Sequence, residues 1–288
     1  MLSCANCGKS EENNKLKKCS ACQSVKYCSV VCQKAHRPMH KKECKKRAAE
    51  LYDEKLFKEP PPPEDCPICF LPLQNEKATE YFHSCCGKII CIGCILSVWK
   101  SGGGKNLCPF CRTPPASSDK EDFKRVKKLM ASGNAIAINY HALDYCNGTR
   151  GMPQDYRKAN ELFLKGGELG CDEGYFSLGI AYRTGQGVEI DREKSKYFYE
   201  LAAMKGNTKA RHSLGIMEEE NGNAERSLKH YILSARAGNK ESLDAVKEGF
   251  MTKLVAKDEY ANTLRAYQKS SNEMKSDERD KASRLHWL

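Results

Sequence analysis

Closely spaced cysteines are the feature of this 288-residue sequence that most constrains its fold. Of 17 cysteines, seven lie in residues 4–44 and eight in residues 66–111. The longest nearly apolar stretch, residues 89–99, is about half the roughly 20 residues that a membrane-spanning helix needs, and residues 1–15 lack the apolar core of a secretory signal. We therefore expect no membrane insertion and a reducing compartment, cytoplasmic and/or nuclear, in which the cysteines bind metal.

The first cysteine block supplies eight potential metal ligands, which indicates two tetrahedral zinc ions. His36 is an alternative to His40 as a ligand, but His40 lies on one helical face with Cys44, so we expect His36 to be a surface residue. So short a segment buries too little apolar surface to fold alone, and bound zinc must stabilise it. The eight ligands are Cys4, Cys7, Cys19, Cys22, Cys28, Cys32, His40 and Cys44.

The order of these pairs, with Tyr27-Cys28-Ser29 and Cys32-Gln33, resembles the MYND zinc finger. The resemblance implies partners that are proline-rich peptides rather than DNA. It also implies interleaved ligation, in which one zinc is held by Cys4, Cys7, Cys28 and Cys32 and the other by Cys19, Cys22, His40 and Cys44.

The second cysteine block has the motifs Cys66-Pro-Ile-Cys69, Cys91-x-x-Cys94 and Cys108-Pro-Phe-Cys111, with His83-Ser84-Cys85-Cys86 between the first two. This arrangement resembles a RING finger over residues 66–112. The resemblance implies one zinc on Cys66, Cys69, Cys91 and Cys94 and another on Cys85, Cys86, Cys108 and Cys111. Four zinc ions per chain would result. We favour Cys85 over His83 because thiolate is the stronger donor at structural sites, but His83 stays open as the alternative.

A RING finger implies that the module binds a ubiquitin-loaded conjugating enzyme and positions its thioester for attack, without a covalent catalytic residue. Ile68, Trp99 on a predicted helix over Ile92–Lys100, and Pro109 match apolar contacts to that enzyme. Arg112 matches the residue that hydrogen-bonds both the enzyme and ubiquitin. The alternative roles are packing for Ile68 and Trp99, shaping of a zinc knuckle for Pro109 and simple solvation for Arg112.

From about Phe123 onwards the sequence shows helical periodicity and a repeat of about 36 residues, in which Phe176-Ser-Leu-Gly179 aligns with His212-Ser-Leu-Gly215. Residues 134–250 resemble the Sel-one-like branch of tetratricopeptide repeats. The resemblance implies an α-solenoid that holds protein partners and has no catalysis of its own. One compact helical bundle without a partner groove is the alternative. Residues 269–281 are polar and charged, and we expect them to fray into solvent.

Two proline-containing breaks, residues 59–65 and 113–119, divide the chain. The predicted fold class is therefore multidomain: two small cross-braced zinc modules, MYND and RING, followed by an all-α helical-hairpin solenoid. The predicted boundaries are 1–46 for the MYND finger, 47–65 for a helix and linker, 66–112 for the RING finger, 113–122 for a second linker, 123–268 for the repeats and 269–288 for a flexible tail.

The formal net charge of +11 and the basic residues 41–47 could indicate nucleic-acid binding. The figure counts every cysteine as neutral, however, and zinc-bound cysteines are thiolates that offset much of it. We therefore expect protein partners rather than nucleic acid. The predicted function is a ubiquitin ligase that recruits its conjugating enzyme through the RING finger and clients through the MYND finger and repeats. A non-enzymatic scaffold and a transcriptional adaptor are the alternatives.

Overall fold

The computed structural model describes residues 3–10, 15–73, 80–101 and 107–283. The chain divides into two compact units, Met1–Lys58 and Glu59–Leu288. Within the described ranges, no helix combines the length and apolar character needed to cross a membrane.

The first unit contains two short antiparallel strands, β1 (Lys17–Lys18) and β2 (Lys26–Tyr27), and one long helix, α1 (Val30–Leu56). The helix begins at Ser29, whose Oγ accepts a hydrogen bond from the backbone N–H of Cys32 at 3.2 Å. The buried core of this unit consists of three cysteines and Tyr27, and α1 is largely exposed. Strands of two residues and so small a core cannot hold a fold by themselves, so the cysteines must contribute through metal.

The second unit begins with a small β-hairpin module. Strands β3 (Glu80–His83) and β4 (Lys88–Cys91) pair antiparallel, and helix α2 (Ile92–Lys100) follows directly. The bounds of α2 confirm the helix predicted from the sequence. Its apolar face contributes Ile95 to a core that Ile90, Leu73 and the cysteines complete.

A series of antiparallel helices forms the rest of the second unit. Successive helices pack against each other as hairpins, and each hairpin packs on the next, which confirms the predicted all-α solenoid. The helices are α3 (Asp119–Ala131), α4 (Ala135–Asn147), α5 (Tyr156–Glu168), α6 (Asp172–Thr184), α7 (Arg192–Met204), α8 (Thr208–Glu220), α9 (Ala224–Arg236), α10 (Lys240–Met251), α11 (Lys257–Glu273) and α12 (Asp277–Ser283).

The helix starts recur with the sequence repeat. Asn134, Asn207 and Asn239 precede α4, α8 and α10, and the Oδ1 of each accepts a backbone N–H three residues on at 2.8 Å. Close helix approach also recurs, because a Cβ added at Gly179 or Gly215 would lie 2.3 Å from a tyrosine ring of the next helix. The repeated caps and glycines explain why the hairpins stack with one geometry.

The C-terminal segment differs from the predicted flexible tail. Residues 269–273 complete α11, and α12 packs on α2, where Ala282 is 2% exposed beside Ile92 and Leu96. A Cβ at Gly93 would lie 2.8 Å from the backbone nitrogen of Arg279, so the two helices are in direct contact. The prediction was wrong for residues 269–283 because a polar composition does not reveal one small apolar anchor. Residues 284–288 of the predicted tail lie outside the described residues.

The β3–β4 hairpin also contacts α3 and α4. The rings of Phe82 and Tyr140 lie 4.7 Å apart, and the side chain of Asn134 donates to the carbonyl of Gly87 at 3.4 Å. Ser84 donates to the carboxylate of Asp122 on α3. The hairpin module and the helical array therefore pack against each other within the second unit.

Candidate metal centres

Four clusters of potential metal ligands occur in the described residues, and within each cluster the ligand atoms all lie within 4.8 Å of one another. The grouping is the one that the two zinc-finger resemblances imply. The clusters are Cys4, Cys7, Cys28 and Cys32; Cys19, Cys22, His40 and Cys44; Cys66, Cys69, Cys91 and Cys94; and Cys85, Cys86, Cys108 and Cys111.

The spacing of the sulfur atoms fits tetrahedral zinc. The closest sulfur pairs of the clusters include Cys85–Cys111 at 3.4 Å and Cys66–Cys94 at 3.9 Å. A zinc–sulfur bond of about 2.3 Å places tetrahedral sulfurs about 3.8 Å apart, whereas a disulfide brings them to about 2.05 Å. His40 presents Nε2 at 3.2 Å from Cys22 Sγ. The chain binds zinc, and these four clusters are the candidate sites for it.

In each cysteine block the ligand pairs interleave. Each cluster takes the first and third, or the second and fourth, pair of its block. Two ions held in this way cross-link segments distant in sequence, so metal binding orders the loops between them. Four protein ligands in each cluster would fill the coordination positions of a tetrahedral zinc and leave none open for a reacting water, so zinc held there would be structural.

Four Cys-x-x-Cys turns share one backbone geometry. The residue after the second cysteine has a positive φ, and its N–H donates to the carbonyl of the first cysteine at 2.9 to 3.0 Å. Glycine adopts this conformation freely, but three of the four turns use a larger residue. The four residues are Gly8, Gln23, Phe70 and Arg112, with φ of 73°, 55°, 57° and 60°.

The two histidine alternatives can be placed. His36 lies outside the cluster that contains His40, and the two rings stack with centroids 5.5 Å apart. His36 is half-buried rather than fully exposed, and its Nδ1 lies 3.0 Å from the hydroxyl of Tyr27. His83 also lies outside the clusters, and burial lowers the pKa of its ring, whereas Cys85 lies among the cysteines.

Arg279 on α12 is a residue that sequence reasoning missed. Its Nη2 lies 3.6 Å from Cys69 Sγ and 3.1 Å from the carbonyl of Leu71, and its Nη1 donates to the carbonyl of Pro72 at 2.7 Å. Four thiolates around one zinc leave a negative site, which a guanidinium stabilises. No local signal could have found this contact, because Arg279 and Cys69 are 210 residues apart.

The four residues predicted to contact a conjugating enzyme lie on the hairpin module. Ile68 and Trp99 are half-buried and pack against the cysteine core. Pro109 is buried, and Arg112 is exposed. Ile68 and Trp99 therefore take part in the core packing that the alternative interpretation assigned to them, while part of each side chain stays accessible.

Comparison with known proteins identifies two parts of the chain. Residues 4–44 match the MYND finger family, and residues 135–171, 172–207 and 210–239 match the Sel1 repeat family. Both predicted resemblances are thus confirmed, whereas no family match supports the RING finger over residues 66–112. The chain thus combines a MYND finger with Sel1 repeats.

The relatives share only parts of the chain. A SET domain and MYND-type zinc finger protein 6 of Schizosaccharomyces pombe is 50% identical over 42 residues, 15% of this chain and 8% of its own. The ERAD-associated E3 ubiquitin-protein ligase component HRD3B of Arabidopsis thaliana is 26% identical over 113 residues, 39% of this chain and 18% of its own. The chain therefore spans less than a fifth of either relative.

A solved structure was also found. The protective antigen c5321 of uropathogenic Escherichia coli, which displays an SLR fold, aligns with a TM-score of 0.47 at 23% identity and covers 62% of this chain and 37% of its own.

Proposed function

We propose that this protein is a RING-type ubiquitin-protein ligase that acts in the cytoplasm or nucleus and holds four zinc ions. The hairpin module recruits the conjugating enzyme, and the MYND finger and helical repeats hold the client. The observation that carries the proposal is the interleaved set of eight cysteines in residues 66–111, with the exposed Arg112 directly after the last ligand. The similarity of part of the chain to a ubiquitin-ligase component is consistent with it.

The proposed catalysis is positioning. Because protein ligands fill the metal sites, zinc fixes the surface and takes no part in bond making. Ile68 and Trp99 offer apolar contact area to the conjugating enzyme. Arg112 holds the thioester-linked ubiquitin in an orientation that a substrate lysine can attack. The turn that ends at Arg112 fixes where its side chain leaves the backbone.

A single-turnover assay of ubiquitin discharge from conjugating enzymes tests the proposal. Arg112→Gly keeps the turn, because glycine favours the positive φ, but removes the guanidinium. We expect discharge to slow by at least about tenfold, as loss of one positioned donor does in other enzymes. Gln23→Gly, at the equivalent turn of the first unit, is the matched control and leaves discharge unchanged.

Failure of the proposal has a clear signature. If zinc-loaded wild-type protein discharges no ubiquitin from a broad panel of conjugating enzymes, the ligase function is wrong. The protein is then a non-enzymatic scaffold. The packing of Ile68 and Trp99 in the module core is the observation that favours this second candidate.

A further inference from the structure

A cavity of about 690 Å³ runs along one side of the helical array in the second unit. Its walls include the first residues of α4, α6, α8 and α10, which successive hairpins present at the same level. The four consecutive prolines at residues 60–63 line this cavity as well, with Pro60 half-buried and the other three exposed. The chain thus places an extended segment of its own against the array.

A row of glycines forms the floor where the hairpins meet. Gly170, Gly206 and Gly238 have φ of +116°, +105° and +98°, and each directly precedes the capping residue of the next hairpin. A Cβ at Gly206 would lie 3.4 Å from the carbonyl oxygen of Pro61, and one at Gly238 would meet Met274 of α11 at 2.8 Å. At Gly170 nothing lies within 4 Å. The linker therefore covers Gly206, whereas Gly170 in the same row is uncovered among the described residues.

The proline run at residues 60–63 indicates which kind of segment this groove can bind. A proline run is extended and stiff, has no N–H groups to satisfy, and loses little conformational entropy when it binds. A Cβ at Gly206 would be in ordinary van der Waals contact with the carbonyl of Pro61, so the linker backbone lies against this glycine. The cavity also contains Asn139, which is 9% exposed and whose Oδ1 has no hydrogen-bond partner.

A buried arginine near the cavity favours a negatively charged residue in a bound segment. Arg211 is 2% exposed, and none of its three guanidinium nitrogens has a hydrogen-bond partner among the described residues. It lies one turn after Thr208 and Lys209, which line the cavity, at a repeat position where the other hairpins have Ile138, Tyr175 and Leu243.

The electrostatics of Arg211 point to the linker. Burial lowers the pKa of the guanidinium to about 10, and the negative charge of Glu59 opposes this effect. Glu59 directly precedes the prolines. An unpaired buried cation costs several kcal/mol unless an anion compensates it, so an acidic residue ahead of a proline run suits this surface.

We propose that this groove binds an extended proline-rich segment of a partner protein, preceded by an acidic residue, in competition with the chain's own residues 59–63. The proposal rests on the proposed role of the repeats in holding clients and gives those clients a chemical signature. The chain's own segment is a tethered ligand with an effective concentration on the order of millimolar, so a partner binds weakly until it displaces the linker.

The test measures fluorescence anisotropy of a labelled peptide with the sequence of residues 59–65, titrated with zinc-loaded full-length chain. In one variant, Pro60→Gly, Pro61→Ser, Pro62→Gly and Pro63→Ser remove the internal ligand. We expect this linker variant to bind the peptide at least about tenfold more tightly than wild type, because a tethered competitor is lost. Peptides with alanine in place of the prolines, or glutamine in place of the first glutamate, bind more weakly.

Groove variants assign the binding to the array. In the linker variant, Arg211→Leu introduces the residue type found at the equivalent position in α10, so the hairpin should fold, and peptide affinity should fall at least about fivefold. Asn139→Ala provides a second variant should Arg211→Leu fail to fold.

Several results would overturn the proposal. One is equal peptide affinity in wild type and linker variant, and another is no binding in either. Binding that both groove variants leave unchanged would assign the peptide to the first unit instead. None of these measurements involves ubiquitin transfer, so the groove and the ligase function fail independently.

Discussion

At the scale of single residues, the zinc-binding turns show how metal compensates an unfavourable backbone. Gln23, Phe70 and Arg112 adopt left-handed conformations, each at a cost of about 1–3 kcal/mol for a residue other than glycine. A structural zinc site contributes about 10–16 kcal/mol, which covers this cost. The choice of residue at these positions is thus free to serve another purpose. At Arg112 that purpose is the proposed contact to the conjugating enzyme and ubiquitin.

Arg279→Ala should weaken one zinc site without unfolding the array. The substitution removes the guanidinium beside Cys69 and the hydrogen bonds to Leu71 and Pro72, and loss of such supporting contacts lowers metal affinity roughly 10–100-fold. We expect one zinc ion per chain to pass to a colorimetric chelator at least about tenfold faster than in wild type. Arg265 is an exposed arginine on α11. Arg265→Ala is therefore the control and should release zinc at the wild-type rate.

At the scale of elements, the α8–α9 hairpin departs from its neighbours. Where the preceding hairpin has Tyr175 and Phe198, with ring centroids 6.2 Å apart, this hairpin has the buried residues Arg211 and His230. Burial, together with the positive charges of Arg211 and Arg226, lowers the pKa of His230 to about 3. The imidazole is therefore neutral in the folded protein, and its protonation in acid opposes the folding of this hairpin.

His230→Leu should reduce the dependence of stability on pH. The pKa of His230 falls from 6.5 to about 3 on folding, so between these values the unfolded chain binds the additional proton. Stability rises with pH across this window and is lost as the pH falls, by up to about 1.4 kcal/mol per pH unit. Glu218 opposes the shift and Lys196 adds to it.

The measurement is urea unfolding of the helical signal at pH 7.5 and 5.5. We expect wild type to lose about 1 kcal/mol more than His230→Leu between the two conditions. Phe198→Leu changes the equivalent position of the preceding hairpin, has no titrating group, and should show the wild-type loss. An identical pH response in all three proteins would contradict the assignment of the acid sensitivity to His230.

The elements show which structural features a single sequence reveals. The period and the repeated Asn, Asp and Gly residues predict the hairpins, because a cap or a glycine contact acts within one or two adjacent helices. The two zinc-finger resemblances likewise imply the ligand sets that the structure brings together. By contrast, α12 and Arg279 depend on partners about 200 residues away. Phe82 packs on Tyr140, but the sequence patterns that predict the two segments give no sign of this contact. Long-range contacts of this kind leave no periodic signal.

At the scale of the whole molecule, the two cysteine blocks differ in the structure that surrounds them. The first unit has a core of cysteines and one tyrosine. The second cysteine block shares its unit with the helical array, which contacts it through the Ser84–Asp122 and Asn134–Gly87 hydrogen bonds and through α12. The array has an apolar core of its own, built from residues such as Phe163, Leu178 and Leu214. We therefore expect metal to be essential to the first unit and dispensable to most of the array.

Chelation should separate these dependences. We expect elemental analysis to give four zinc ions per chain, one for each ligand cluster. After complete removal of zinc under reducing conditions, residues 4–44 should become sensitive to protease within minutes, whereas α4 to α10 keep most of their helical circular dichroism, since their core contains no metal ligand. Zinc added back to reduced protein should restore protection, and calcium, which prefers oxygen ligands, should not. Protease resistance of residues 4–44 in the metal-free protein would show that their cysteines pack without zinc. Loss of the whole helical signal would show that the array depends on the second cysteine block for its fold.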